Sequence, residues 1–271
     1  MLRVASLHIH PVKSLGGFAV QEARLTDRGF EHDRRWMLVD GDGRFITQRE
    51  VSALACLHCA PHADGFRVTD MRDGRAIHLP WSLPSGASAR ATVFSDGVDV
   101  LHAPMEVSAW FADQLGIWCS LVYMPDASVR PTDRTYADAR TSLSDGYPYL
   151  ILSQASLDDL NERLTPSGSP GGGGRIGMDR FRPNIVVAGG TPYQEDGWRE
   201  VVIGEVTFAC VKTCGRCIIT TTDQTTGERG KEPLRTLASY RSLGNRVLFG
   251  MNAVAPDQGI VRVGDLVHPA A

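Results

Sequence analysis

Only three stretches of this chain set apolar residues at helical spacing, and all three are short. EVSAWFADQLG places Val107, Trp110, Phe111 and Leu115 on one side of a helix that Gly116 stops. SLDDLNERL repeats the pattern with Leu157, Leu160 and Leu164, with Ser156 and Asp159 at capping spacing, and LRTLASYR is a third amphipathic run. The rest is short runs of β-branched and aromatic residues cut by glycine, proline and aspartate. With 28 glycines and 15 prolines in 271 residues, the breaks recur too often for long helices. The spacing therefore predicts a mainly β chain with some α, an α+β fold.

Read in order, RVASLHIHPVKS is a strand ending at Pro11, with Lys13 and Ser14 as a polar tip on a sheet edge before Gly16 and Gly17 turn the chain. FAVQEARLT alternates as a partner strand, and RRWMLVDGDGRFITQRE reads as a hairpin around Asp42-Gly43. Along a strand, neighbouring Arg34 and Arg35 would point to opposite faces, which fits one facing a pocket and the other water, and equally both decorating the surface. IWCSLVYMP resumes as a strand with Cys119 as a small core residue, and Arg130, Asp133 and Arg134 follow in a polar loop. TPSGSPGGGGRIG is a flexible loop whose glycines do not open a helix after a strand, which excludes a nucleotide-binding reading.

A formal net charge of -3 excludes a general polyanion binder, so no nucleic-acid partner is expected and any anion recognition must be local. No run approaches the ~18 apolar residues of a membrane span, and the N-terminus lacks the apolar core of a secretory signal. The expected location is cytoplasmic without membrane association. The six cysteines are then thiols or ligands, not a disulfide framework.

Chemistry concentrates at Cys214 and Cys217, two residues apart with Arg216 between them and Lys212 just before. Nearby cations favour the thiolate, the form that attacks electrophiles and binds metal. A C-x-x-C alone also fits zinc sites and redox pairs. Thioredoxin-like pairs open a helix, whereas Ile218 to Thr222 favour an extended strand, which counts against the redox pair. Cys56 and Cys59 form a second C-x-x-C, but the gap of well over a hundred residues argues against a shared four-thiolate zinc site and leaves them structural. Before the strand IVVA, Pro183 is expected to hold an extended backbone with Arg182 and Asn184 at its entrance. A guanidinium fork and an amide suit an anion and a heterocycle, and equally the capping of neighbouring carbonyls.

Taken together, HPVKS, DRRW, SDGYPYLILSQASLDDLN, FRPNIVV, CGRCIITTTDQTTG with KEPL, FGMN and the closing VRVGDLV resemble the MOSC family, named for the C-terminal domain of molybdenum cofactor sulfurase. The blocks occur in the family's order over nearly the whole chain. They are most similar to the branch with an added MOSC N-terminal β-barrel domain, which includes the mitochondrial amidoxime-reducing component and bacterial reductases of N-hydroxylated compounds.

The resemblance implies a β-barrel-like N-terminal domain over residues 1–117, a MOSC β-barrel domain over 118–271, and a site in the cleft between them. It implies a molybdenum cofactor, a Mo-pyranopterin, with Cys217 rather than Cys214 as metal ligand and catalytic centre. Lys13, Ser14, Arg34, Arg182 and Asn184 are implied to hold the pterin and its phosphate, and Asp145 and Asn252 to join them. Soft thiolate suits molybdenum, and a local cationic cluster suits a phosphate.

The implied activity is reduction of small N-hydroxylated substrates, namely hydroxylamines, amidoximes and N-hydroxylated bases. No cysteine follows Cys217 to ligate a fused two-iron cluster. Electrons are thus expected from a separate donor protein, ferredoxin-like or cytochrome b5-like with a reductase. The alternative is a sulfur carrier or cofactor-handling protein with a persulfide on Cys217 or Cys214. A zinc-stabilised interaction module rests only on the two C-x-x-C pairs.

Overall fold

The computed structural model describes residues 1–164, 174–256 and 258–270; the first nine residues of the Gly, Ser and Pro loop, 165–173, lie outside them. The described chain is mostly strand with few helices, 41% against 17%.

The alternation in LRVASLHI becomes strand β1 (Leu2–Ile9). Val4 and Leu7 both face the core although three residues apart, because a register shift between Val4 and Ser6 inserts a bulge. Six later strands join it: β2 (Tyr149–Ser153), β3 (Ile185–Ala188), β4 (Glu200–Ile203), β5 (Val206–Arg216), β6 (Arg246–Val254) and β7 (Leu266–Ala270). Their order is β2-β3-β1-β7-β4-β5-β6, and β6 pairs back onto β2, closing a seven-stranded barrel. Only β2 and β3 run parallel. A parallel pair requires a crossover, and helix α2 (Gln154–Leu164) lies within it. The polar tip is therefore not on a sheet edge: β1 lies between β3 and β7, and both Lys13 and Ser14 are buried.

Inward residues of these strands fill the barrel, among them Leu7, Ile151, Val187, Val201 and Phe208. Phe208 is fully buried and meets Tyr149 edge-on at 5.1 Å. Phe208→Ala is expected to cost about 3–5 kcal/mol of stability, measured as a lower urea midpoint. A loss below about 1 kcal/mol would mean that the interior collapses to fill the gap.

The first half adds a four-stranded sheet, in the order Trp36–Val39, Ser120–Tyr123, Asp96–His102, Ser88–Val93, and a meander of Leu57–His62, Gly65–Asp70 and Ala76–Pro80. Trp36, Phe66 and Phe111 anchor their common core. Helix α1 (Met105–Leu115) packs there through Val107, Trp110, Phe111 and Leu115, and Gly116, at φ 64°, ends it.

Three expectations differ in detail. FAVQEARLT splits: Phe18–Val20 pairs with β1, while Glu22–Thr26 pairs with Ile260–Arg262 and Gly29–Phe30. The Asp42-Gly43 turn forms, but its return makes only isolated bridges, at Phe45 to Val39 and Arg44 to Thr92, and Trp36–Val39 pairs instead with Ser120–Tyr123. Ser156 lies inside α2 and donates to the buried Glu195 carboxylate at 2.8 Å instead of capping the helix. Among the described residues no helix is long and apolar enough to cross a membrane.

Candidate functional site

One cleft gathers all eight residues singled out in the sequence: Lys13, Ser14, Arg34, Asp145, Arg182, Asn184, Cys217 and Asn252. Lys13 and Ser14 follow β1, Asp145 precedes β2, Arg182 and Asn184 precede β3, Cys217 follows β5, and Asn252 lies on β6. The cleft opens to solvent, and its empty volume with the open mouth included is about 840 Å³.

Three of the lining residues carry left-handed backbone: Ser14 (φ 69°), Arg34 (φ 48°) and Arg182 (φ 55°). Each such non-glycine residue costs of order 1–3 kcal/mol and persists only where its surroundings enforce it. For Arg182 the extended conformation expected before Pro183 does not occur. Its carbonyl accepts from Arg34 Nη2 at 3.0 Å, and its Nη1 donates to the Leu15 carbonyl at 2.5 Å. Arg34 likewise sits in a turn of its own and not on a strand. It faces the cleft while Arg35 bonds away to the Met124 carbonyl and to Asp126 at 2.8 Å.

Asn184 is fully committed inside the protein. Its Oδ1 accepts from Arg34 Nη1 at 3.0 Å and from the Leu150 amide at 3.3 Å, and its Nδ2 donates to the His8 carbonyl at 3.3 Å. Of the two roles open to it from sequence, capping neighbours is the one these bonds describe.

Lys13 Nζ donates to the Leu143 carbonyl at 2.9 Å and to Asp145 Oδ1 at 2.5 Å, and Arg49 Nη2 donates to Asp145 Oδ2 at 2.9 Å. Burial pushes the Lys13 ammonium down to about 8 against the pull of Asp145. Desolvation in the cleft acts to raise the Asp145 carboxyl, but Lys13 and Arg49 overcome it and hold it well below the usual range. The Asp145 side chain is still 58% exposed toward the mouth, so solvent screens part of this attraction. Arg130, read from sequence as loop, is buried beneath. It donates to the carbonyls of Ser142 at 3.0 Å, Ser144 at 2.6 Å and Asp145 at 3.1 Å, fixing the loop that carries the carboxylate.

The lysine has a consequence for stability. Below pH 8 Lys13 is protonated both folded and unfolded. Between about 8 and 10.5 the unfolded chain holds this proton more tightly, so stability from this group rises with pH. Lys13→Met should flatten that rise in chemical denaturation between pH 8 and 10.5. An unchanged pH profile would remove Lys13 as its source.

Strand β5 runs through Cys214 and ends at Arg216, and Cys217 begins a 3-10 turn over Ile218–Thr221. The β-branched run is therefore not a strand. Thr220 Oγ1 donates to the Cys217 carbonyl at 3.0 Å and Thr221 Oγ1 to the Ile218 carbonyl at 2.8 Å, local bonds that override β propensity. Burial raises the Cys214 thiol pKa, opposed by Arg216. Cys56 and Cys59 are buried in the first half, with the Cys59 thiol pushed up to about 12 by burial. Among the described residues the two C-x-x-C pairs do not converge into a ligand cluster.

The cleft also contains residues the sequence did not single out for binding: Arg49, Arg180, Arg216 and Tyr147. Arg216 Nε and Nη1 donate to the carbonyls of Phe249 at 2.7 Å and Phe181 at 3.0 Å, so its role goes beyond standing between two thiols. Arg180 pairs with Asp223 at 2.8 Å. Of the described residues lining the cleft, three offer a buried guanidinium nitrogen without a hydrogen-bond partner, Arg49 Nη1, Arg182 Nη2 and Arg216 Nη2, and the Tyr147 hydroxyl is buried and unpartnered as well. Unfilled buried donors are costly and mark where a ligand's acceptors belong. Three cationic donors beside a half-buried thiol suit an anionic, metal-bearing group. A pyranopterin with a terminal phosphate and a thiolate-held molybdenum has that chemistry, so these residues fit it.

Comparison with known proteins agrees with this architecture. Residues 1–117 match the MOSC N-terminal beta barrel domain and residues 138–268 the MOSC domain. Mitochondrial amidoxime-reducing component 1 of Mus musculus is 33% identical over 98% of this chain and 81% of its own length. The Homo sapiens protein of that name is 32% identical over 98% and 82%. Molybdenum cofactor sulfurase of Oryza sativa subsp. japonica is 33% identical over 92% of this chain but only 32% of its own length, so the chain spans about a third of that relative. With both domains in place and relatives of this length and identity, the chain belongs to the MOSC family.

Proposed function

We propose that this protein is a molybdenum-cofactor-dependent oxidoreductase that reduces small N-hydroxylated compounds. The observation that carries the reading is the set of unpartnered guanidinium nitrogens on Arg49, Arg182 and Arg216 in the cleft that holds Cys217. Relatives named amidoxime-reducing component support the substrate class. The net reaction is R–NH–OH plus two electrons and two protons giving R–NH2 and water. The bound cofactor supplies the electron-transfer chemistry at the metal.

The chain's own residues bind, orient and shield. Cys217 supplies the thiolate for molybdenum. Arg182, Arg216 and Arg49 offer free donors to the anionic end of the pterin, and Lys13 and Arg49 together fix the Asp145 carboxylate beside them. Ser14, Arg34 and Asn184 set the backbone that aims Arg182, and Asn252, with Nδ2 donating to the Lys212 carbonyl at 3.3 Å, anchors the strand beside Cys214. The Tyr147 hydroxyl remains available to donate to a substrate oxygen. Electrons come from a separate protein.

Protein from a host with an intact cofactor pathway should hold molybdenum and pterin in equal amounts. With a reduced viologen dye as electron source, it should convert an amidoxime to the amidine. Absence of both molybdenum and turnover would overturn the reading. Labile sulfur on Cys217 without molybdenum would instead support a persulfide carrier.

A further inference from the structure

The meander in the first half carries a second constellation, none of whose residues lines the cleft. Strands Leu57–His62 and Gly65–Asp70 are joined by a turn through Ala63 and Asp64, and Ala76–Pro80 pairs along the other side of Gly65–Asp70. This brings together His62 from the first strand, Asp64 from the turn and His78 from the third. Asp64 Oδ1 lies 2.9 Å from His62 Nδ1 and 3.1 Å from His78 Nε2, and the three ligand atoms all lie within 4.8 Å of one another. The two imidazoles meet edge to face with centroids 4.8 Å apart.

We propose that His62, Asp64 and His78 form a surface site for a divalent transition-metal ion of zinc-like preference.

Three arguments support it. A metal bonded at ~2.0–2.1 Å to nitrogen and oxygen holds tetrahedral ligand atoms about 3.3 Å apart. The two separations at Asp64 are already close to that, so small side-chain rotations would complete three corners. Two imidazoles and one carboxylate, with no thiolate, suit Zn2+, Ni2+ or Cu2+ better than Ca2+ or Mg2+, which prefer all-oxygen shells. The side chains are 58%, 77% and 43% exposed, so an ion can enter and keep water on its remaining positions. A bound ion would tie the turn to a strand it does not follow in sequence.

The test uses the full chain stripped of metal and titrated with Zn2+ by calorimetry, wild type beside the double variant His62→Ala/His78→Ala. The expected result is one equivalent fewer bound by the variant, with the same melting temperature for both proteins before metal is added. Asp64→Asn should weaken that equivalent about tenfold or more, as loss of one ligand of three requires. Co2+ bound at this site should show no thiolate charge-transfer absorption, which separates it from metal held by Cys217 or Cys214. Equal stoichiometry and affinity in wild type and double variant, or Co2+ bound only with thiolate absorption, would overturn the proposal.

Discussion

Cys217→Ser is expected to leave a folded protein with no measurable reduction of N-hydroxylated compounds and little retained molybdenum. Cys217 is half-buried at the start of a 3-10 turn held by its own carbonyl and by Thr220, so a serine of nearly the same size leaves those backbone bonds in place. Changing groups that merely support a ligand already costs about 10–100-fold in metal affinity, and loss of the ligand should exceed that. Metal analysis and dye-linked turnover read the result. Cys214→Ser is the matched control and should keep most of its metal, because burial disfavours the Cys214 thiolate. If the two variants exchange phenotypes, the ligand is Cys214.

Arg182→Gln should be nearly as damaging by a different route. Arg182 Nη2 is buried without a partner, while Nη1 is held by the Leu15 carbonyl. A charge-assisted hydrogen bond is worth about 1.5–3 kcal/mol, roughly a ten- to hundredfold loss of cofactor affinity, read as the pterin fraction surviving gel filtration. Burial and the neighbouring Arg34 lower the Arg182 pKa to about 10, so the group remains charged at neutral pH. Arg182→Lys keeps the charge but not the fork and should fall between. Undiminished pterin in Arg182→Gln would place the phosphate elsewhere.

Arg182, Asn184 and Cys217 were legible from local chemistry, a cationic fork, an amide and a thiol beside a basic residue, whereas Lys13, Ser14, Arg34, Asp145 and Asn252 were named only through the resemblance to the family's motifs. All eight reached one cleft. Arg49 and Tyr147 were not legible, since each becomes a cleft residue only through partners about a hundred positions away or through none at all. Arg130 looked like loop because most of its bonds go to carbonyls, which carry no sequence signal, and its carboxylate partner Asp96 lies far away in sequence. The run after Cys217 misled because β propensity describes packing on a pleated face, whereas here threonine hydroxyls bond locally and no neighbouring strand is paired. The mainly β character and the positions of α1 and α2 followed from spacing alone, but the closure of the barrel through β1 did not.

That closure constrains how the molecule is made. β1 pairs with β3 at Ile185–Ala188 and with β7 at Leu266–Ala270, so during synthesis it waits for one neighbour until residue 185 and for the other until residue 266. Translation proceeds at roughly 5–20 residues per second, which leaves Leu2–Ile9 without its barrel partners for on the order of ten seconds or more. During that interval Phe18–Val20 can cover one side of Leu7 to Ile9, and the rest of the strand, with Val4, is an open edge, the kind of surface that pairs with the wrong chain. A strand left partly open during synthesis is thus the one that leads into Lys13 and Ser14.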